Sequence, residues 1–382
     1  MKSHVQLKGV IEKIHDNGFL HQPLEYVNFQ DFDINNAKGF GVIQLDTSQV
    51  SYSKWVSPKR TRSYPFARIY NTYDGSNVSN ISKIVTIIPV IKDEGKDGDR
   101  DRIQFSTISW MNLLNIYIVL AYYDTAQKNL SKNQVDKHKL TQQCFNNKFV
   151  KSQIKEIFQC KETACEWNNK LLKEKFTDIL NQALDCYDLI SKNTGVLIHS
   201  RESMDRDIQK FNDQIEEFRN ASLRGSYNAS NREAKTIHEL EYLVDGVKAQ
   251  LQIKDYLGGT YYLTCDEFYN TGDMYVLQES KNSSKDALPK ISDIQDGLFK
   301  LILFQNLQNL NLDGQHIDYC VKLKLTGKGV RDSILLPDEE SKMNNFFSKN
   351  IVVFNDTHQK IIKGLLQESM YNKKLKIEIS CG

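Results

Sequence analysis

The sequence predicts a mixed α/β chain of the α+β kind, with a large, partly helical N-terminal region. Three observations carry this expectation. Residues 83–91, KIVTIIPVI, are a β-branched run suited to a buried strand. Apolar residues recur at three- and four-residue steps through NKLLKEKFTDILNQALDCYDLI (169–190), the period of amphipathic helices. After residue 231 the order reads helix, antiparallel hairpin, helix, strand.

The 382 residues suffice for two domains and a sizeable core. The chain is 40% hydrophobic and 26% charged, close to ordinary globular usage. Its net charge of +2 neither demands nor excludes nucleic acid, so a basic surface must arise by local clustering. Met1 to Asp16 is polar and charged, unlike a secretory leader. The longest apolar run, Met111 to Tyr123, is broken by Asn112 and Asn115 and is too short for a bilayer. The expectation is a soluble, cytoplasmic protein. The seven cysteines are irregularly spaced. Cys160 and Cys165 have no second Cys/His pair at zinc spacing, so the thiols are expected to be reduced and structural. The histidines show no paired metal spacing either.

In chain order, residues 1–65 mix short strands and turns, with Gly39 to Ile43 opening one strand. KWVSPKRTRSYPFAR (54–68) gathers Lys54, Lys59, Arg60, Arg62 and Arg68 with no acid. The polar loop KDEGKDGDRDR (92–102) follows the strand at 83–91. The apolar spacing from Ile108 to Gln127 predicts a buried helix, and residues 130–223 read as mostly helical. RGSYNASN (224–231) has neither period and reads as a seam between regions 1–225 and 226–382. Beyond it a helix fits 232–252, a strand 260–269, a turn with a permissive Gly272 at 270–273, and a returning strand MYVLQESK. A loop, NSSKDALPK, then leads to a helix over Ser292 to Asn309 and a strand over Asp318 to Gly327.

The chemistry concentrates at the end of the returning strand. Residues two apart on a strand share a face, so Glu279 and Lys281 stand side by side. The hairpin brings Asp266 near Glu279. Two carboxylates converging with a backbone carbonyl make an oxygen-rich site suited to Mg2+, and a lysine beside them can steady a water or a developing phosphorane. Glu-x-Lys is a common triplet and also occurs at Glu94, Glu233 and Glu340. Only Glu279 ends an apolar strand, follows a hairpin with an acid on the partner strand, and precedes an amphipathic helix and another strand. Asp273, in the turn, is the rival to Asp266.

Asp266, Glu279-Ser280-Lys281 and the helix–hairpin–helix–strand order resemble the PD-(D/E)xK nuclease superfamily. YVLQESKNSSKDALPKISDIQDGLFKLILFQNL is most similar to its type II restriction endonucleases. The resemblance covers about residues 232–326 and departs from the pattern at Cys265, where the proline would stand. It implies a restriction-endonuclease-like core in 226–382, a central mixed sheet flanked by helices, and Mg2+-dependent, sequence-specific cleavage of double-stranded DNA to 5′-phosphate and 3′-hydroxyl ends. It implies Asp266 and Glu279 as metal ligands, with Glu239 or Glu241 on the preceding helix completing the set, and Lys281 as the residue that orients or activates water. A homodimer and a cognate DNA methyltransferase, in a restriction–modification system for phage defence, are the implied partners.

Region 1–225 is then expected to serve DNA recognition or dimerisation. Lys54, Lys59, Arg60 and Arg62, buttressed by aromatic residues, are the first candidates for DNA contact, with a solvated basic loop as the plain reading. Ser283, Ser284 and Lys285 follow the catalytic strand and are candidates for backbone contact. Lys322 and Lys324 share a strand face suited to phosphate, as an ordinary amphipathic edge strand would also present them. The acidic residues of 92–102 form a competing oxygen-rich loop, but lack the closing glutamate of an EF-hand. Rival readings are a repair or defence nuclease without strict sequence specificity, a non-catalytic DNA-binding protein, and a helical scaffold.

Overall fold

The computed structural model describes residues 5–11, 14, 24–54, 81–96, 98, 100–102, 111–131, 139–202, 247–254 and 260–382. They form a mixed α/β protein in two compact units. The first holds the described residues of Met1–Pro23 and Leu223–Gly382, the second those of Leu24–Pro65 and Asn80–Ser222. Among the described residues no helix is long and apolar enough to cross a membrane.

In the first unit the described strands form one nine-stranded sheet. Strand β1 is Val5–Val10, β2 Val247–Lys254, β3 Thr260–Asn270 and β4 Tyr275–Ser283. Helix α1, Ile291–Gln305, is followed by β5 Gln308–Leu312, β6 Gln315–His316, β7 Tyr319–Gly327 and β8 Ile334–Leu336. Helices α2, Glu340–Lys349, and α3, Asp356–Tyr371, lead to β9, Leu375–Cys381. Across the sheet the order is β6-β5-β1-β2-β3-β4-β7-β9-β8. The middle of it is an antiparallel meander, β2-β3-β4. Parallel neighbours need a crossover, and α1 supplies it between β4 and β7, while α2 and α3 supply it between β7 and β9.

The hairpin turn lies where the sequence puts it. Gly272 has φ 98°, its N–H is held by Asn270 Oδ1 at 2.7 Å, and Phe268 and Tyr275 stack across the strands at 5.1 Å. One face of the sheet is apolar. Along β7, Val321, Leu323 and Leu325 are buried and alternate with half-buried Lys322, Lys324 and Thr326. Helix α1 packs against β4 and β7 on that face, and Leu298, Leu301 and Ile302 are among its buried residues. The approach is close at Gly297, where an added Cβ would stand 2.8 Å from Leu323 Cδ1 and 3.2 Å from Lys281 Cε.

The second unit has a five-stranded sheet in the order Tyr26–Asn28, Phe40–Leu45, Ser48–Lys54, Ile81–Pro89, Tyr117–Ala121. A hairpin, Tyr123–Lys128 with Leu140–Phe145, and helices Asn147–Gln159, Ala164–Lys170 and Phe176–Thr194, the last two joined by a π-helical segment Leu171–Lys175, belong to it, and the ends of the expected loop 92–102 pair as short antiparallel strands, Ile91–Asp93 with Arg100–Arg102. Thr163 and Glu166 close a capping box at the second helix. Asn168, fully buried, bonds Ile118 N at 2.8 Å and Ile116 O at 2.9 Å and so pins that helix to the sheet.

Two expected helices are corrected and a third is shortened: the one expected over Ser292 to Asn309 ends at Gln305, and Gln308–Leu312 is strand β5. The one expected over Ile108 to Gln127 does not continue past Asn115, whose left-handed φ of 55° turns the chain into strand Tyr117–Ala121. All five residues of that strand are buried, and a continuous apolar run gives no period to distinguish strand from helix. The helix expected over 232–252 lies outside the described residues as far as 246, and Val247–Lys254 is strand β2.

Candidate functional site: a buried charge cluster at Glu279

Strand β3 carries an irregularity where the site forms. Val247 pairs with Phe268 but Ala249 pairs with Cys265, so two steps on β2 oppose three on β3. The extra residue falls at Asp266–Glu267. A bulge of this kind bends a strand and re-aims a side chain. The described β3–β4 pairing ends at Glu267 and Gln278, and beyond it the backbone N–H of Ser280 donates to Asp266 Oδ2 at 2.9 Å. Asp266 thus takes the place of a backbone acceptor beside Glu279. Its Oδ1 has no hydrogen-bond partner among the described residues. Asp273 is exposed in the hairpin turn.

Glu279 and Lys281 face α1 together, as the strand period requires. The Glu279 side chain is 5% exposed. Its Oε1 lies 3.3 Å from Lys281 Nζ and its Oε2 2.6 Å from Lys300 Nζ. Lys281 Nζ also reaches Asp296 Oδ2 at 3.2 Å. Asp296 and Lys300 are one turn apart on α1, and the close approach at Gly297 sets both against β4. The result is a chain of alternating charge: Asp296, Lys281, Glu279, Lys300.

Burial dominates the electrostatics. Desolvation pushes the Glu279 carboxyl up from its ordinary value; Lys300 opposes this, the Asp266 charge adds to it, and Lys281 also opposes it. Desolvation likewise raises Asp296 against the pull of Lys281. For Lys281, burial works to lower the ammonium, but the Glu279 and Asp296 carboxylates overcome it and hold it above its ordinary value. Cys265, fully buried before Asp266, has its thiol raised by desolvation and donates to Glu267 O at 2.8 Å. It is an inert packing group rather than a nucleophile.

Glu279 therefore pairs with Lys281 and feels the charge of Asp266, and α1 adds Asp296 and Lys300, which the sequence reading did not single out. Their signal was present as an acid–base pair four residues apart within the apolar run of SDIQDGLFK. Other expected residues lie elsewhere. Lys322 and Lys324 alternate with Leu323 and so lie on the opposite face of the sheet from Glu279 and Lys281. Lys322 is paired with Glu378 at 2.7 Å and lies over the Tyr269 ring. Ser283 Oγ accepts from Asp286 N at 2.9 Å and shapes the loop, while Ser284 and Lys285 are exposed. Lys54, in the second unit, donates to Ile34 O at 2.7 Å. Lys59, Arg60, Arg62, Arg68, Glu239 and Glu241 lie outside the described residues.

The acidic loop uses its first two carboxylates internally. Asp93 Oδ1 meets His199 Nδ1 at 2.8 Å and accepts from Gly95 N, its Oδ2 accepts from His199 N, and Glu94 pairs with Lys92. Among the described residues no group of three or more His, Cys, Asp or Glu side chains is arranged to hold a metal. A Mg2+ ion asks for only one or two carboxylates from a protein, because it keeps waters and takes further oxygens from phosphate. No family model, curated protein or solved structure matches the chain.

Proposed function

We propose that this protein is a Mg2+-dependent endonuclease of double-stranded DNA, of the sequence-specific type II kind, with a PD-(D/E)xK core in its C-terminal part. The observation that carries the reading is the buried Glu279, paired with Lys281 and acted on by the charge of Asp266 at the bulge of β3. The hairpin β3-β4, the crossover α1 and the parallel β7 support it as the hairpin, helix and strand of the order the resemblance implies, to which the chain adds β2 before the hairpin and β5 and β6 between α1 and β7.

Asp266 and Glu279 would hold the ion, which when bound supplies charge to a phosphate oxygen and acidifies water. Lys281, kept charged by its two carboxylate neighbours, orients the attacking water and meets negative charge developing on the phosphoryl oxygens. Water adds its oxygen to phosphorus, the bond to the 3′ oxygen breaks, and that oxygen takes a proton. The products are 5′-phosphate and 3′-hydroxyl ends. In this reading the protein acts as a homodimer with a cognate methyltransferase as its genetic partner.

A second reading has its own observation. Both oxygens of Glu279 are engaged by ammonium groups, as in a purely structural ion-pair network of a non-catalytic DNA-binding protein. Incubation of the protein with several unmethylated DNAs, phage λ DNA among them, with Mg2+ or EDTA, separates the two. Discrete fragments that need Mg2+ and disappear with Lys281→Ala are expected. A smear would leave a nuclease without sequence specificity, and intact DNA throughout would remove the enzyme.

A further inference from the structure

We propose that Lys300 is a built-in counter-cation that occupies Glu279 in the metal-free protein and must leave before a divalent ion can bind there. This rests on the proposed metal role of Asp266 and Glu279 and assigns a function to a residue outside that set.

The geometry separates the two lysines. Lys281 lies between two carboxylates, 3.3 Å from Glu279 and 3.2 Å from Asp296, on the same strand as Glu279. If Glu279 turned to another cation, Lys281 would still have Asp296. Lys300 holds Glu279 from the helix, with the shortest contact in the cluster at 2.6 Å, and takes the oxygen that Lys281 does not. With Lys281 on the other, the Lys300 ammonium leaves neither Glu279 oxygen open to a metal.

Charge and reach both allow the exchange. Glu279 and Asp296 pair with Lys281 and Lys300, and the charge of Asp266 also acts on Glu279, so among these five residues the carboxylates outnumber the ammonium groups by one. A divalent ion in the place of Lys300 answers that surplus better than a monovalent one. Lys300 has somewhere to go: its Nζ is already 5.9 Å from the centroid of the Phe304 ring, one turn further along α1, within reach of a cation–π contact. A four-carbon stem lets the ammonium swing without moving the helix.

The device has a consequence for affinity. A metal binding at Glu279 must first break a charge-assisted hydrogen bond, an interaction that shifts an equilibrium by about tenfold or more. Metal binding is therefore weaker than the carboxylates alone would give, and anything that draws Lys300 away, such as a DNA phosphate, would favour the ion.

The test is Mn2+ binding, read by the electron paramagnetic resonance of free Mn2+, on the full chain without DNA. Lys300→Met and Lys300→Gln are compared with the unmodified protein, with Lys300→Arg as the variant that keeps the cation and Glu279→Gln as the variant that loses the carboxylate. Expected is a gain in affinity of about tenfold or more for Met and Gln, no gain for Arg, and loss of binding for Glu279→Gln. Lys300→Gln keeps a donor to Glu279 and so covers the case in which Met unfolds the unit. Equal or weaker binding by Met and Gln, with binding still lost in Glu279→Gln, would overturn the counter-cation and leave the metal site intact. Absence of Mn2+ binding from every protein would overturn both.

Discussion

The pair Lys281–Asp296 joins strand β4 to helix α1, and its coupling can be predicted from the geometry. The atoms are 3.2 Å apart, and the side chains are 20% and 23% exposed. At an effective dielectric of 20 the gross attraction is about 5 kcal/mol. Burial opposes it, as the raised Asp296 carboxyl shows. Hydrogen bonds to charged groups contribute about 1.5–3 kcal/mol net. Lys281 also keeps Glu279, so the smaller end of that range applies. Asp296→Asn and Lys281→Met preserve shape while removing charge, and each should cost about 1–3 kcal/mol. The double variant should cost less than their sum by about 1–2 kcal/mol. Urea unfolding followed by circular dichroism measures this. Tryptophan fluorescence would not, since Trp55, Trp110 and Trp167 all precede Leu223 and the first unit holds none. A coupling below about 0.3 kcal/mol would refute the argument and mean that helix and strand charges do not bond.

Two further outcomes follow from the same region. Because burial raises the Glu279 carboxyl above its ordinary 4.5, the folded state holds the proton longer than the unfolded chain. Its contribution to stability is therefore greatest below pH 4.5 and falls as pH rises through the raised value. The stability difference between the unmodified protein and Glu279→Gln should shrink as pH climbs above 4.5, and a difference that grows with pH would refute the sign. The second concerns backbone approach. A Cβ at Gly327 would lie 1.8 Å from Ala287 O, whereas at Gly297 it meets only side-chain ends of Leu323 and Lys281. Gly327→Ala should cost about 3 kcal/mol or more and Gly297→Ala about 1 kcal/mol, measured as urea midpoints; equal losses would refute the distinction.

What the sequence determined by itself was local. The two-residue period of a strand set Glu279 and Lys281 on one face, and Gly272 between alternating strands set the hairpin. The helix after the hairpin and the strand Tyr319–Gly327 were equally legible, because each carries its own apolar period, whereas the short strands β5 and β6 between them were not. The strand at Tyr117–Ala121 was not, since an all-buried run has no period to read. Tertiary structure decided what depends on partners distant in the chain. Strand β1 at Val5–Val10 lies parallel to β2 at Val247–Lys254, a pairing no local pattern specifies. The bulge that puts Asp266 on Ser280 N appears only as a change of register between β2 and β3. Lys322 was legible as a strand lysine, but its ion pair with Glu378 arises because β9 runs beside β7. Glu279 reads as a strand-end acid in the sequence, and becomes a buried carboxylate between two ammonium groups only once α1 crosses over it at Gly297. Backbone geometry fixes which side chains share a face, while burial and the choice of counter-charge are fixed only by what packs against that face.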